Sequence, residues 1–384
     1  MRRRTFTTAF AIGVPSLALA GPALADGPGS TWAEDRTAEL LERAQQLAPR
    51  LTPAARRIKA DLDRDRPFDV GLLERAIDGS LYQCAPTQLD SWVAEQIEDF
   101  TEEDIMILLL LGVLDWATYH ALLFEPSGPQ HYGVDGQHTK AITKTFRTLK
   151  RFWDIDGSEI QLAAMHGEII TDVEAMTPML TLVLGVSEQE AREVAQLVAE
   201  FVDQPKFDHG NHPLFTFNAF AVSEADAPED QKLGIPDKII MGDGMLQAMD
   251  ELGLGDVAPQ GILAHEYGHH LQYDLQLFGE ETSPEATRLT ELEADAYAAY
   301  YLSHPRGERL RNRRVEQFVR TYFEIGDCSF ESDGHHGTPD QREDAARWAY
   351  ELANAKGAKG HVLPAAEVSA QFRQVLPEII APDA

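Results

Sequence analysis

The run His265-Glu266-Tyr267-Gly268-His269 constrains this chain more than any other. On an α-helix, four residues turn the chain by about 400° and place both imidazoles on one face, roughly 6 Å apart. From that face both can bind one zinc ion at about 2.0–2.1 Å. Glu266 stands about 100° round the helix from His265, in reach of a water beside such an ion. Ile262, Leu263 and Ala264 before the run, and Leu271, Leu275 and Leu277 after it, are apolar. They predict a buried helix rather than a surface helix with scattered polar groups.

A second run, Glu291-Leu292-Glu293-Ala294-Asp295, follows at a workable distance. A catalytic zinc takes three protein ligands and keeps one position open. Glu291 and Asp295 share a helix face, whereas Glu293 lies about 200° from Glu291. The spacing makes Glu291 the candidate third ligand beside His265 and His269, with Glu293 as its rival. Asp295 is placed to orient a ligand His through its other ring nitrogen, the alternative being a plain surface charge. His270 points about 100° away from His269 and is not expected to bind metal.

These residues resemble known enzymes. Glu-Leu-Glu-Ala-Asp at 291–295 resembles the E-x-x-A-D element of the glutamate zincins, or gluzincins. His-Glu-Tyr-Gly-His-His at 265–270 resembles the bacterial neutral zinc metallopeptidase family. So do Ile325-Gly326-Asp327 and His336-Gly337-Thr338-Pro339-Asp340-Gln341-Arg342. Asn218-Ala219-Phe220-Ala221, followed by Lys238-Ile239-Ile240-Met241, resembles the edge strand and next strand of HtpX-type gluzincin peptidases, which are membrane-embedded. The likeness covers residues 210–350 and implies a zincin-like metallopeptidase scaffold more firmly than any substrate. In such peptidases the substrate lies antiparallel to an edge strand, for which residues 215–222 are the candidate; an ordinary core strand is the other reading.

At 384 residues and 43% hydrophobic, the chain has ample core for one large domain or two ordinary ones. Its net charge of −30 argues against nucleic acid and anionic membrane surfaces as partners. Arg2-Arg3-Arg4, an apolar stretch over 6–24 and Ala23-Leu24-Ala25 read as a cleavable signal peptide over residues 1–25, on either the general or the twin-arginine export route. The apolar run 105–114 is ten residues long and reads as a buried core helix, not a span. Cys84 and Cys328, an even count in an exported chain, are expected to form one disulfide, with two free buried thiols as the alternative.

Residues 26–205 read as a helical region broken at Pro49, Pro67, Pro86, Pro126 and Pro178, and 206–384 as the metallopeptidase domain. Further helices are expected over about 187–202, 244–252, 256–278, 283–303, 308–324 and 338–356, with an Ala- and Pro-rich tail on the surface. His209 and His212 sit in a turn-rich junction, as loop residues or a second metal pair. The fold class is α+β, predominantly α, with a small sheet.

The expected chemistry is zinc-assisted peptide hydrolysis, secreted, periplasmic or at the cell surface. Glu266 is the base and His336 the candidate donor to the developing oxyanion, ahead of His335 and Tyr297. Two other readings are a zinc hydrolase of a non-peptide amide or ester, and a non-enzymatic exported zinc-binding protein. A base beside three ligands and an open position argues against the last.

Overall fold

The computed structural model describes residues 34–47, 51–64, 77, 79–124, 129–224, 227, 232–278, 283–311, 313–330, 332, 334–355 and 360–383. Helices dominate: α1 (Glu34–Leu47), α2 (Pro53–Arg64), α3 (Gln88–Gln96), α4 (Glu102–Leu111), α5 (Trp116–Leu123), α6 (Thr139–Phe152), α7 (Val173–Leu184) and α8 (Glu188–Val202) come first. After them come α9 (Asp243–Glu251), α10 (Ala258–Asp274), α11 (Pro284–Ser303), α12 (Arg313–Glu324), α13 (Pro339–Ala353) and α14 (Ala365–Ile379). Three strands, β1 (Gln161–Met165), β2 (Ala219–Val222) and β3 (Lys238–Gly242), form one sheet in the order β1-β3-β2. β3 pairs parallel with β1 and antiparallel with β2. The fold is therefore α+β and mostly helical.

The sheet separates two hydrophobic cores, and the two-residue period of a strand decides which side chain enters which. Ala219, Ala221, Ile239 and Met241 face the core that holds Ile262, Leu263, Tyr267 and Leu271 of α10. Phe220, Val222 and Ile240 face the other, with Leu180 of α7 and Val198 and Phe201 of α8. Gly242 N–H donates to Asn218 O at 3.0 Å, which fixes the pairing parity of β2. The main-chain groups of Ala219 and Ala221 therefore point to the outer edge of the sheet. The opposite edge is occupied by side chains: Gln130 Oε1 accepts from Ala164 N–H at 2.7 Å, and Tyr132 O–H donates to Leu162 O at 3.3 Å.

Several expectations need correction. β1 lies within the region read as helical, so the sheet draws on both sides of residue 205. Only Ala219–Val222 is strand; Phe215 lies in a 3-10 turn, Pro213–Thr216. Pro178 sits inside α7 instead of breaking it, while Pro49, Pro67 and Pro126 lie outside the described residues. The tail does not simply lie on the surface: α14 buries Val368, Phe372 and Leu376 on one face. α4 is only half core, since Ile105, Met106 and Leu109 are 37%, 44% and 44% exposed.

No single described helix is long and apolar enough to cross a membrane; α4 and the segment Val113–Leu123 pass that test only as a pair bent by 57°. The signal-peptide reading of residues 1–25 lies outside the described residues. Cys84 and Cys328 are joined by a disulfide, which belongs to an oxidising compartment.

Candidate metal centre

The helices that carry the two acidic and histidine runs meet face to face because small residues stand where they cross. A Cβ added at Gly268 of α10 would lie 3.2 Å from Ala294 Cα and O and 3.3 Å from Ala294 Cβ of α11. α11 begins where Ser283 Oγ accepts Ala286 N–H at 3.2 Å, with Pro284 in the first turn, as the sequence suggests.

This contact brings three candidate ligand side chains into a compact triangle. His265 Nε2 and His269 Nε2 are 3.1 Å apart, and Glu291 Oε2 and Oε1 lie 3.1 and 3.2 Å from them respectively. His265, His269 and Glu291 are all buried, and among the described residues they form the one group able to hold a metal ion. One face of a tetrahedron with ligands at about 2.0–2.1 Å has edges of about 3.3 Å, so the donor set fits zinc with a fourth position left over.

Each ligand is itself held. His265 Nδ1 lies 2.8 Å from Asp295 Oδ1, and His269 Nδ1 lies 2.8 Å from Gln272 Oε1. Both rings thus turn Nε2 into the triangle. Arg342 grips Asp295 with two bonds of 2.7 Å, from Nε and Nη2, and donates a third to Ile325 O at 3.2 Å. Glu293 stands outside the group of His265, His269 and Glu291. It accepts from Gln272 Nε2, Ser369 Oγ and Arg373 Nε at 3.1, 2.7 and 2.9 Å, steadying the residue that orients His269.

Charge follows this geometry. Burial lowers the pKa of His265, but Glu291 and Asp295 outweigh it and hold the ring up at about 10. His269 is raised too, burial being overcome chiefly by Glu291. Glu291 falls well below the usual carboxylate range, because His269 and His265 outweigh its own desolvation. In the metal-free protein, protons thus neutralise the triangle that a cation would otherwise neutralise.

Around the triangle a cavity is lined by Asn218, Ala219, Met245, Ile262, Glu266, Ile325 and His336. Glu266 therefore reaches the cavity of the ligands, as its helix angle predicts. Asn218, one of the lining residues, has a buried Oδ1 without a hydrogen-bond partner. His336 reaches the cavity from the loop between α12 and α13, where Gly337 takes a φ of 101°. His336 N–H and Nδ1 both meet Asp327 Oδ2, at 2.7 and 3.1 Å. A carboxylate only accepts, so Nδ1–H donates. Burial pushes the ring towards neutrality, but Asp327 and Glu291 prevail and raise its pKa, which favours a second proton on Nε2.

No family model, curated protein or solved structure matches this chain. The functional reading thus rests on the site's own chemistry.

The other sequence candidates go elsewhere. Tyr297 O–H donates to Ala365 O at 3.2 Å, and His335 Nδ1 is 2.6 Å from Asp327 Oδ1. His270 Nε2 is 3.3 Å from Lys238 O, away from the triangle. His209 pairs with Asp203 and His212 with Gln96 O, so these two do not meet at a metal. The sequence assigns no role to Gln272 or Tyr322, and Asp327 enters it only through the Ile325-Gly326-Asp327 likeness. Gln272 was detectable as the i+3 neighbour of His269. Tyr322, whose ring is 6.5 Å from that of His265 and whose O–H bonds Gly261 O at 3.2 Å, had no sequence signal.

Proposed function

We propose that this chain is an exported zinc-dependent metallopeptidase built on a zincin-like core. The observation that carries the reading is the triangle of His265, His269 and Glu291 opening on the cavity that also receives Glu266 and His336. A structural zinc site is closed by four protein ligands; three ligands with a carboxylate beside the open position suit hydrolysis. Asn218 Oδ1 and the outward-facing main chain of Ala219 and Ala221 offer an extended peptide both an edge to pair with and an acceptor for its N–H.

His265, His269 and Glu291 would hold the ion. Zinc held there would supply a Lewis acid able to lower the pKa of a water to about 7. Glu266 accepts the proton of the attacking water and returns it to the leaving amine. His336, fixed by Asp327 through Nδ1–H, donates from Nε2 to the carbonyl oxygen of the scissile bond as charge builds on it. Asp295 and Gln272 keep the two ligand rings aimed. The buried cavity walls from Met245, Ile262 and Ile325 reduce the water around these groups and strengthen each electrostatic contact.

The test is cleavage of a diverse peptide mixture by the mature protein, read by mass spectrometry, beside Glu266→Gln. Cuts made by the wild type and lost in the variant, with zinc content equal in both, are expected. Equal cutting by the variant would remove Glu266 as the base. Zinc bound with no peptide cut would favour the non-peptide amide or ester reading, or a non-enzymatic zinc protein.

A further inference from the structure

The loop that delivers His336 is gripped by a segment from far earlier in the chain. We infer that this grip, centred on the Cys84–Cys328 disulfide, is a positioning element of the site: it sets, through Asp327, where His336 aims Nε2. The inference rests on the metallopeptidase reading for its catalytic consequence, though not for the geometry itself.

The described residues of the loop between α12 and α13 form no helix or strand. Its hub is Asp327. Besides the two bonds to His336, its carboxylate accepts Ser329 N–H at 2.8 Å and faces His335 Nδ1 at 2.6 Å, while its N–H donates to Gly337 O at 3.0 Å. Anything that moves Asp327 therefore moves His336. Two residues that bracket Asp327 are tied to the same remote segment. Cys328 is bonded to Cys84, 244 residues earlier. Glu324, buried at the end of α12, accepts the N–H groups of Gln88 and Leu89 at 2.8 and 3.3 Å. Farther out, Phe330 stacks on Tyr82 with ring centroids 5.3 Å apart and packs against His335 at 4.9 Å.

The remote segment is itself anchored. Tyr82 O–H donates to Ile380 O at 3.1 Å, Asp383 N–H donates to Leu81 O at 3.0 Å, and Thr87 and Asp90 close a capping box at the start of α3. Residues 79–89 thus form a strap fastened at both ends, and the disulfide transfers its rigidity to the residue next to Asp327. The candidate metal ligands stand on α10 and α11, outside both the strap and the loop it grips. Breaking the bridge should therefore leave the metal in place and release only His336.

The test uses full-length mature protein with Cys84→Ser and Cys328→Ser together. Zinc stoichiometry should stay at the wild-type value. On one peptide that the wild type cuts, kcat should fall about tenfold or more with KM nearly constant, as for a lost transition-state contact. In a His336→Gln background the same two changes should leave kcat within about twofold, because the contact they disturb is already gone. Asp327→Asn, with the disulfide intact, should reproduce the loss. Unchanged kcat in the serine pair below its unfolding temperature, or a loss that adds in full to that of His336→Gln, would overturn the inference and leave the bridge as a simple staple.

A second readout needs no cleavage. The ring nitrogens of His336, followed by 15N NMR, should report one fixed form with Nδ1 protonated in the wild type and an averaged signal in the serine pair. Identical spectra would refute the positioning role. A spectral difference in a wild type that cuts no peptide would keep that role and remove the peptidase reading instead.

Discussion

Asp295 shows how much of the candidate metal site lies behind the three side chains that could hold the ion. It is fully buried, aims His265, and is neutralised by a two-pronged bond from Arg342. Asp295→Asn keeps the size but loses the charge that balances Arg342 and enriches His265 as a donor. Zinc affinity, measured by competition with a chelator, should drop about 10- to 100-fold. Glu293→Gln, farther out, should cost less. His270 gives a pH prediction of its own. Burial depresses its pKa to about 4, so it is neutral when folded and takes up a proton on unfolding below its free value of about 6.5. Its contribution to stability is whole above that value and is lost as pH falls towards 4, by on the order of 3 kcal/mol. Urea titrations should show this slope in the wild type and a flatter one in His270→Gln, where the amide can still donate to Lys238 O. An equal slope in both would assign the acid loss to other groups.

At the scale of elements, α10 and α11 can make the triangle only while Gly268 and Ala294 let their backbones approach. Gly268→Val forces a branched side chain into a gap already closed at 3.2 Å, so the helices must part or strain. A loss of about 1–3 kcal/mol in stability is expected, with weaker zinc binding than in an Ala variant at the same position. Thermal melts with and without zinc read both effects. The sequence carried these helices well. His265, His269 and Glu291 follow from a 100° step, and the Thr338 and Ser187 boxes mark the starts of α13 and α8 where they are found. What it hid was set by distant partners. Glu293 looked like a rival ligand until Gln272, Ser369 and Arg373 claimed it. β1 is too short and too Ala-rich to announce itself, and gains its identity only by pairing with β3, some 77 positions on. Pro178 is tolerated because α7 is held in place by the core on its buried face. The amphipathic pattern of α14 was masked by the Ala and Pro residues round it.

For the molecule as a whole, the one disulfide closes a very long loop. Removing it should lower the free energy of unfolding by about 2–5 kcal/mol in urea, most of it through the gain in freedom of the unfolded chain. A loss far below that range would mean that the strap's hydrogen bonds to α12 and the C-terminal segment suffice alone.

β1 has a further consequence. It belongs to the first half of the chain, yet it is laid against β3, the strand that also supports the edge beside the candidate site. The same half supplies Gln130 and Tyr132 to seal the sheet, and Cys84 to hold the His336 loop. A cut near residue 205 would therefore divide the sheet between two pieces, with β1 on one and β2 and β3 on the other. The Cys84–Cys328 bridge would still join the two pieces after such a cut, and only its reduction would let β1 leave the sheet. A cut upstream of the strap would instead leave everything from residue 79 onward as one inheritance.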